Sequence, residues 1–362
     1  MSSCQPVAGV WSRLFEEDPL GDTQSADRTT LVLWTQTPVS GIYVDLRLPK
    51  DSPGRSDTVG VTRTARPSAL RAITGGLDGT NADVSILTRQ KSFAGVLTYS
   101  LGDTTEAKGE ALAKDTVLAE LAKNDKAALG LCTCFWRRDI DYQPPSGGLD
   151  IGVCASYSPM ADNGAVDLRE TGDDGSYAEG WHRVGETHAG PFMALQLVSE
   201  NGHDNGRIGY WVRTGHRFAY AIGRPTTAEL AKALGCPPQT PTIKDQVGKT
   251  LEEVIKSLEQ GDNGGNKKEE LLGVIGSYVA ACGEIDPDTG AWRILDSTNP
   301  GLVHCHLVGA IMDKNCCSTL SKGDSKDAVK EGDSVQQHVC GEGSFVRKWK
   351  VLELSGCSVP FL

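Results

Sequence analysis

Several features that define other protein classes are missing from this sequence. Positive charge is in deficit, since 36 lysines and arginines face 47 aspartates and glutamates and the formal net charge is −11. Such a surface repels a phosphate backbone, so we expect no nucleic acid partner. No apolar run is long enough to span a bilayer, and residues 1–13 hold no basic segment followed by an apolar one. We therefore expect neither a membrane span nor a secretory signal.

The short motifs of familiar enzyme classes are also missing. There is no Gly-x-Ser-x-Gly elbow, no Walker loop, and no Gly-x-Gly-x-x-Gly following a strand. The sequence thus names no reaction and no cofactor, and whether the protein is an enzyme stays open.

What the chain does contain is typical of a globular protein with a core. Hydrophobic residues make up 39% and charged residues 23% of the 362 residues. The eleven cysteines are an odd number in a long chain without a predicted secretory signal. That usage favours reduced thiols and a cytoplasmic location.

Short β-strands are the main secondary-structure signal. Alternating, β-branched and aromatic residues predict strands at 29–36 and 41–48, joined by a link of hairpin length at 37–40. Gly, Pro, Asn or Asp clusters separate most of the further strand-like runs, which are 93–101, 129–142, 150–157, 165–170, 177–184, 192–199, 207–213, 216–222, 271–285, 291–298 and 345–354. Repeated short strands with tight turns indicate a meander barrel or a sandwich.

Helical patterns interrupt the strands at three places. A capping box at Thr226 and Glu229 begins one helix, Val247 to Leu258 carry apolar residues at helical spacing, and residues 104–121 predict a third helix. We expect two or three helices at the periphery of a mainly β fold.

Aromatic and charged residues alternate with other positions on four predicted strands. Residues two apart on a strand share a face, so these side chains could line a common cavity in which rings form walls and charges orient a ligand. The predicted ligand-binding residues are Trp34, Gln36, Tyr43, Asp45, Arg47, Trp136, Arg138, Tyr142, Tyr177, Glu179 and Trp181. We expect a small, partly apolar ligand with a polar or anionic group, and Arg47 or Arg138 as its counter-charge.

Two other interpretations of the same residues stay open. The protein could be an isomerase, lyase or hydrolase that uses buried carboxylates, with Asp45, Asp141, Glu179 and His182 as candidate catalytic residues. It could also be an interaction or structural module, and the charged residues could instead lie on exposed strand faces that carry cross-strand ion pairs. The sequence leaves the oligomeric state undetermined.

The C-terminal tail collects residue types that zinc accepts, with His304, His306, Cys316 and Cys317 as weak candidates. Adjacent or alternating pairs differ from the Cys-x-x-Cys knuckles of structural zinc sites. We therefore expect no metal site.

The chain resembles the HRI1-like family of lipocalin-like proteins. The strings that carry this resemblance are GVWSR at 9–13, DRTT at 27–30, VLWTQT at 32–37, YVDLRLP at 43–49, WRRDIDYQPP at 136–145, YAEGW at 177–181, GHRFAYAIGR at 215–224 and WRILDSTNP at 292–300. The resemblance implies a closed antiparallel barrel of the calycin type and assigns no reaction.

The extent of the resemblance also suggests the domain organisation. We expect a lipocalin-like barrel over residues 1–301, with insertions near 51–90, 103–125 and 225–270. A Cys-rich C-terminal extension at 302–362 would follow it, and we expect the barrel to fold without this extension.

Overall fold

The structure is a computed structural model of the chain. The residues that it describes are 7–50, 52, 89–101, 106–123, 131–143, 149–156, 166–184, 190–200, 202–204, 206–229, 253, 256, 278–288, 292–298, 320–321, 330–339 and 345–355. Of the predicted helix at Val247 to Leu258, the described residues include 253 and 256, which are helical; the rest of it and most of the helix that begins at Thr226 lie outside these residues.

A closed barrel of eight antiparallel strands forms the N-terminal half of the described chain. Its strands are β1 (Gly9–Glu17), β2 (Leu31–Gln36), β3 (Ile42–Leu48), β4 (Lys91–Leu101), β5 (Leu131–Asp141), β6 (Leu149–Ser156), β7 (Leu168–Gly172) and β8 (Ala178–Arg183). Each strand pairs with the next along the chain, and β1 pairs with β8 to close the sheet. The prediction of a mainly β fold with a closed antiparallel barrel is confirmed.

The remaining strands form a second, nine-stranded sheet. They are β9 (Phe192–Glu200), β10 (His203–Asp204), β11 (Gly209–Thr214), β12 (Arg217–Ile222), β13 (Val279–Ile285), β14 (Trp292–Ser297), β15 (Leu320–Ser321), β16 (Ser334–Val339) and β17 (Phe345–Ser355). Strand β17 lies between β9 and β16. The C-terminal extension therefore supplies an interior strand of this sheet.

The outer face of the barrel packs against the second sheet. Ile42, Val44 and Leu46 of β3 share one hydrophobic cluster with Val212 of β11 and Ala219 of β12. Because β3 is covered on both faces, nearly all of its side chains are buried.

The Glu353 carboxylate fastens β17 to the barrel. The Glu353 carboxylate, which is 1% exposed, accepts hydrogen bonds from the backbone amides of Val39 and Ser40 at 3.2 and 2.8 Å. These amides lie in the turn between β2 and β3, so the hairpin is anchored to the C-terminal strand.

Two short helices lie against the barrel between β4 and β5. They are α1 (Glu106–Lys114) and α2 (Thr116–Ala122), where the sequence predicted one continuous helix. Asp115 separates them because its carboxylate caps α2, accepting from the amides of Val117 and Leu118. The same carboxylate accepts from Arg169 at 2.6 Å and so ties α2 to β7.

Candidate functional site

The lumen of the barrel has two layers, and the first is aromatic. The aromatic layer consists of Trp11, Trp34, Tyr43, Trp136 and Trp181, which belong to a buried cluster with members from all eight strands. The Trp34 ring packs against Trp11, Trp136 and Trp181 with centroids 5.5 to 6.1 Å apart. This end of the lumen is filled by its own side chains.

Three cysteines pack beside the aromatic layer. Cys132 and Cys154 lie directly opposite each other on β5 and β6, and the Sγ atoms of Cys132 and Cys134 are 3.7 Å apart. All three are fully buried free thiols. Burial raises the pKa of Cys154 well above its ordinary value, so this thiol is protonated and a poor nucleophile.

The second layer of the lumen is charged, and we call Arg13, Asp45, Arg47 and Glu179 the charged layer. Glu179 accepts hydrogen bonds from Arg13 at 2.7 Å and from Arg47 at 2.8 Å, and Arg47 also donates to Asp45 at 3.2 Å. The Glu179 side chain is 1% exposed and that of Arg47 is 16% exposed. Two guanidinium groups thus hold buried carboxylates at the centre of the barrel.

The pKa values of Glu179 and Asp45 shift in opposite directions. Although burial raises it, Arg47 and Arg13 hold the pKa of Glu179 below its ordinary value. At Asp45, burial outweighs the attraction of Arg47, so the pKa of the Asp45 carboxyl lies above its ordinary value.

A β-bulge in β5 changes which side chains enter the lumen. Ala94 pairs with Ile140 and Gly95 pairs with Arg138, so Asp139 is left out of the register. Gly95 permits this bulge because a Cβ there would lie 1.9 Å from the carbonyl oxygen of Arg137. Alternation is therefore broken within β5.

The bulge places Arg138 and Asp141 on the same side of the sheet, with 3.8 Å between Nη1 of Arg138 and Oδ2 of Asp141. Burial raises the pKa of Asp141 to about 7. Tyr142 instead packs against Tyr278 in the cluster beneath the second sheet, with ring centroids 5.0 Å apart. The expectation that Tyr142 shares a face with Trp136 and Arg138 is therefore wrong, because it assumed strict alternation.

A cleft of about 610 Å³ opens onto the charged layer. Its lining combines five cationic side chains with two carboxylates, hydroxyls and a proline, namely Arg13, Arg47, Lys50, Arg89, Lys91, Glu16, Asp27, Thr29, Thr30 and Pro49. Both carboxylates are bonded to Arg13. Although burial raises it, hydrogen bonds from Thr30 and Thr29 lower the pKa of Asp27 to about 2, so this carboxylate is ionised.

The predicted ligand-binding residues are distributed unevenly around this cleft. Arg47 lines it, and Asp45 and Glu179 lie directly behind Arg47. Other predicted residues lie deeper, because Trp34, Gln36, Tyr43, Trp136 and Trp181 are at most 7% exposed. Arg138 and Arg47 both stack on the Phe93 ring, with Cζ 4.2 and 4.9 Å from its centroid.

Two further candidates lie at the ends of β8. Tyr177 is half-buried just before the strand, beside Gly172. His182 faces outward, half exposed, with Nδ1 2.8 Å from the Asp167 carboxylate. The structure therefore does not bring His182 together with the charged layer.

Sequence reasoning did not single out several residues of this region. The predicted ligand-binding and catalytic residues do not include Arg13, Glu16, Asp27, Lys50, Arg89, Lys91 and Glu170. The alternation of Trp11 and Arg13 could have placed Arg13 in the lumen. Lys50, Arg89 and Lys91 flank the segment 51–88, so nothing in their local pattern indicated a shared cleft.

The metal candidates His304, His306, Cys316 and Cys317 lie outside the described residues. Within the described ranges, no three histidine, cysteine, aspartate or glutamate side chains are grouped so that they could hold a metal ion. The helices in the same ranges are too short or too polar to cross a membrane.

Comparisons with known proteins add one structural neighbour. No family model and no curated protein matches the chain. A solved structure, that of the uncharacterized protein YLR301w from Saccharomyces cerevisiae, is similar over 96% of this chain and 98% of its own, with 12% identity and a TM-score of 0.44. Membership of the HRI1-like family stays a prediction.

Proposed function

We propose that the barrel binds a small, partly apolar organic anion in the cleft above the charged layer. The observation that carries this proposal is the pair of lysines at the cleft. Lys50 and Lys91 are exposed, and within the described part of the chain their side chains form no ion pair. They are therefore available to a ligand, unlike Arg13 and Arg47, which are already bonded to carboxylates.

The shape of the site supports a small molecule. A volume of about 610 Å³ lies within the usual range for small-ligand sites. Eight-stranded up-and-down barrels of the calycin type commonly hold one such ligand at the mouth, and we infer that this barrel is of that type. On a chain with a net charge of −11, a local cluster of cations also attracts anions selectively.

Binding can be measured with phenyl phosphate, benzoate and valerate as probes, and with benzyl alcohol as the uncharged control. We expect the three anions, but not benzyl alcohol, to raise the melting temperature of the protein. Removing both lysines (Lys50→Ala with Lys91→Ala) should weaken the binding of these anions about tenfold. Lys348 and Lys350 are exposed on β17, so the same double substitution there is the matched control. Equal binding by both double variants would contradict the proposal.

An enzyme that uses carboxylates is the second candidate, and Asp141 favours it. A carboxyl with a pKa of about 7 is poised to exchange protons near neutral pH. Asp141 lies on the lumen side of β5, and the positive charge of Lys91, which lines the cleft, favours the ionised form of its carboxyl group. An Asp141→Asn variant, considered below, separates a carrier from an enzyme.

A further inference from the structure

Glu170 is a buried carboxyl group that the charged layer does not include. It lies on the lumen side of β7, directly opposite Glu179 on β8 and Cys154 on β6, and is 5% exposed. Its neighbour Glu179 is bonded to two arginines, whereas Glu170 makes no hydrogen bond or ion pair with any residue that the structure describes. Two adjacent carboxyl groups therefore have opposite surroundings.

The groups that face Glu170 explain its protonation state. Glu179 and Tyr177 face it from β8 and the turn before it, Asp150 and Cys154 from β6, Cys134 from β5, and Asp45 and Arg47 from β3. Arg47 is the only cation among these and is engaged by Asp45 and Glu179. Burial, reinforced by Glu179 and Asp150, accordingly raises the pKa of Glu170 well above its ordinary value. A neutral carboxylic acid carries a proton that it can donate.

Glycine lets Glu170 pack closely against the backbone of β6. Gly152 and Gly172 lie opposite each other on β6 and β7. A methyl group on Gly152 would lie 3.3 Å from Glu170 Oε1 and 3.0 Å from the Trp136 ring. The Glu170 carboxyl therefore lies directly against the Gly152 backbone and beside the Trp136 ring, and it has no hydrogen-bond acceptor among the residues that the structure describes.

We propose that Glu170 donates a hydrogen bond to an uncharged oxygen, such as a carbonyl, of the organic anion that binds at Lys50 and Lys91. This inference rests on the proposed function. Arg47 connects the two places, because it lines the cleft and bonds to Glu179 opposite Glu170. Glu170 is then a residue that determines specificity, and it selects oxo acids over plain carboxylic acids.

The test uses matched probes that differ only in the carbonyl oxygen, levulinate and valerate, and longer methyl-ketone acids with their straight-chain partners. At mildly acidic pH we expect the wild-type protein to bind at least one oxo acid about tenfold more tightly than its partner. This preference should disappear at high pH, where Glu170 ionises. Glu170→Gln should keep it at every pH because an amide still donates, and Glu170→Met should lack it at every pH.

A second readout needs no ligand. The infrared carbonyl stretch of a protonated carboxylic acid should be present in the wild-type protein at neutral pH and reduced in Glu170→Gln. An unchanged band, or equal affinity for each oxo acid and its partner, would overturn the role of Glu170 while leaving the lysine site intact. Failure of both probe types to bind would overturn the proposed function and this inference together.

Discussion

The aromatic layer and the charged layer lie in the lumen of the same barrel, yet one is packed with apolar rings and the other holds buried charges beside a cleft. The aromatic layer fills its half of the lumen with rings in mutual contact. The charged layer collects four ionisable side chains where their desolvation is costly, and the cleft opens above it. A residue that packs without charge is explained by folding alone, whereas buried charges at a cleft call for a function.

Removing a ring should have the largest effect on stability. Trp34 is 2% exposed and contacts three other indoles, so Trp34→Ala should cost about 3–5 kcal/mol of unfolding free energy. Urea unfolding should show the same loss at acidic and neutral pH, because no charge is involved. Trp34→Phe is the control and should cost less, since Nε1 of Trp34 has no partner among the described residues. A loss that varies strongly with pH would break the distinction between the layers.

Breaking the charged layer should cost somewhat less and depend on pH. Arg47→Ala leaves Asp45 uncompensated and Glu179 with Arg13 alone, which should cost about 3 kcal/mol at neutral pH. The loss should shrink on acidification as these carboxylates are protonated. Arg137 pairs with Asp139 on the surface and its side chain is 59% exposed, so Arg137→Ala should cost under about 1 kcal/mol. Equal urea midpoints for the two variants would show that the charged layer is solvated.

The fold was predictable because its evidence is local. Alternation and turn residues in segments such as 29–36 and 41–48 predicted β2, β3 and their hairpin within two residues. Strands β1 and β16 were missed, since Gly9–Glu17 and Ser334–Val339 carry consecutive polar residues that obscure the pattern. The boundary at residue 301 between the barrel domain and the C-terminal extension stays a prediction. The pairing of β17 with β9 joins segments that are distant in sequence, so local patterns could not predict it.

The site was only partly predictable for the same reason. Alternation placed Asp45 and Arg47 on one face, and they are bonded in the lumen. Alternation could not foresee the bulge opposite Gly95, which turns Asp141 inward and Tyr142 outward. Long-range ion pairs, such as the one between Arg13 and Glu179, depend on barrel closure and leave no trace in the sequence.

A substitution of Asp141 should bring a gain in stability rather than a loss, and it separates the two candidate functions. The pKa of Asp141 rises from 3.8 to about 7 in the folded protein, so between these values the folded state keeps a proton that the unfolded state releases. The free energy of unfolding must therefore fall as pH rises through this window. Asp141→Asn remains neutral and should be more stable than wild type at high pH by up to about 4 kcal/mol, because each pKa unit corresponds to about 1.4 kcal/mol, with little difference in acid.

The control for this variant is Asp174, whose pKa is lowered by hydrogen bonds from Ser176, so that Asp174→Asn should bring no gain in stability at high pH.

Function is tested with the molecule that native mass spectrometry finds on protein from its source. A carrier should bind this molecule equally well with Asn at position 141. An enzyme that uses Asp141 as a base should lose turnover while keeping affinity, and the wild-type rate should rise through a pH of about 7 as the carboxyl ionises. A stability curve that is identical for wild type and Asp141→Asn would show that Asp141 is solvated, and the enzyme candidate would then lose its support.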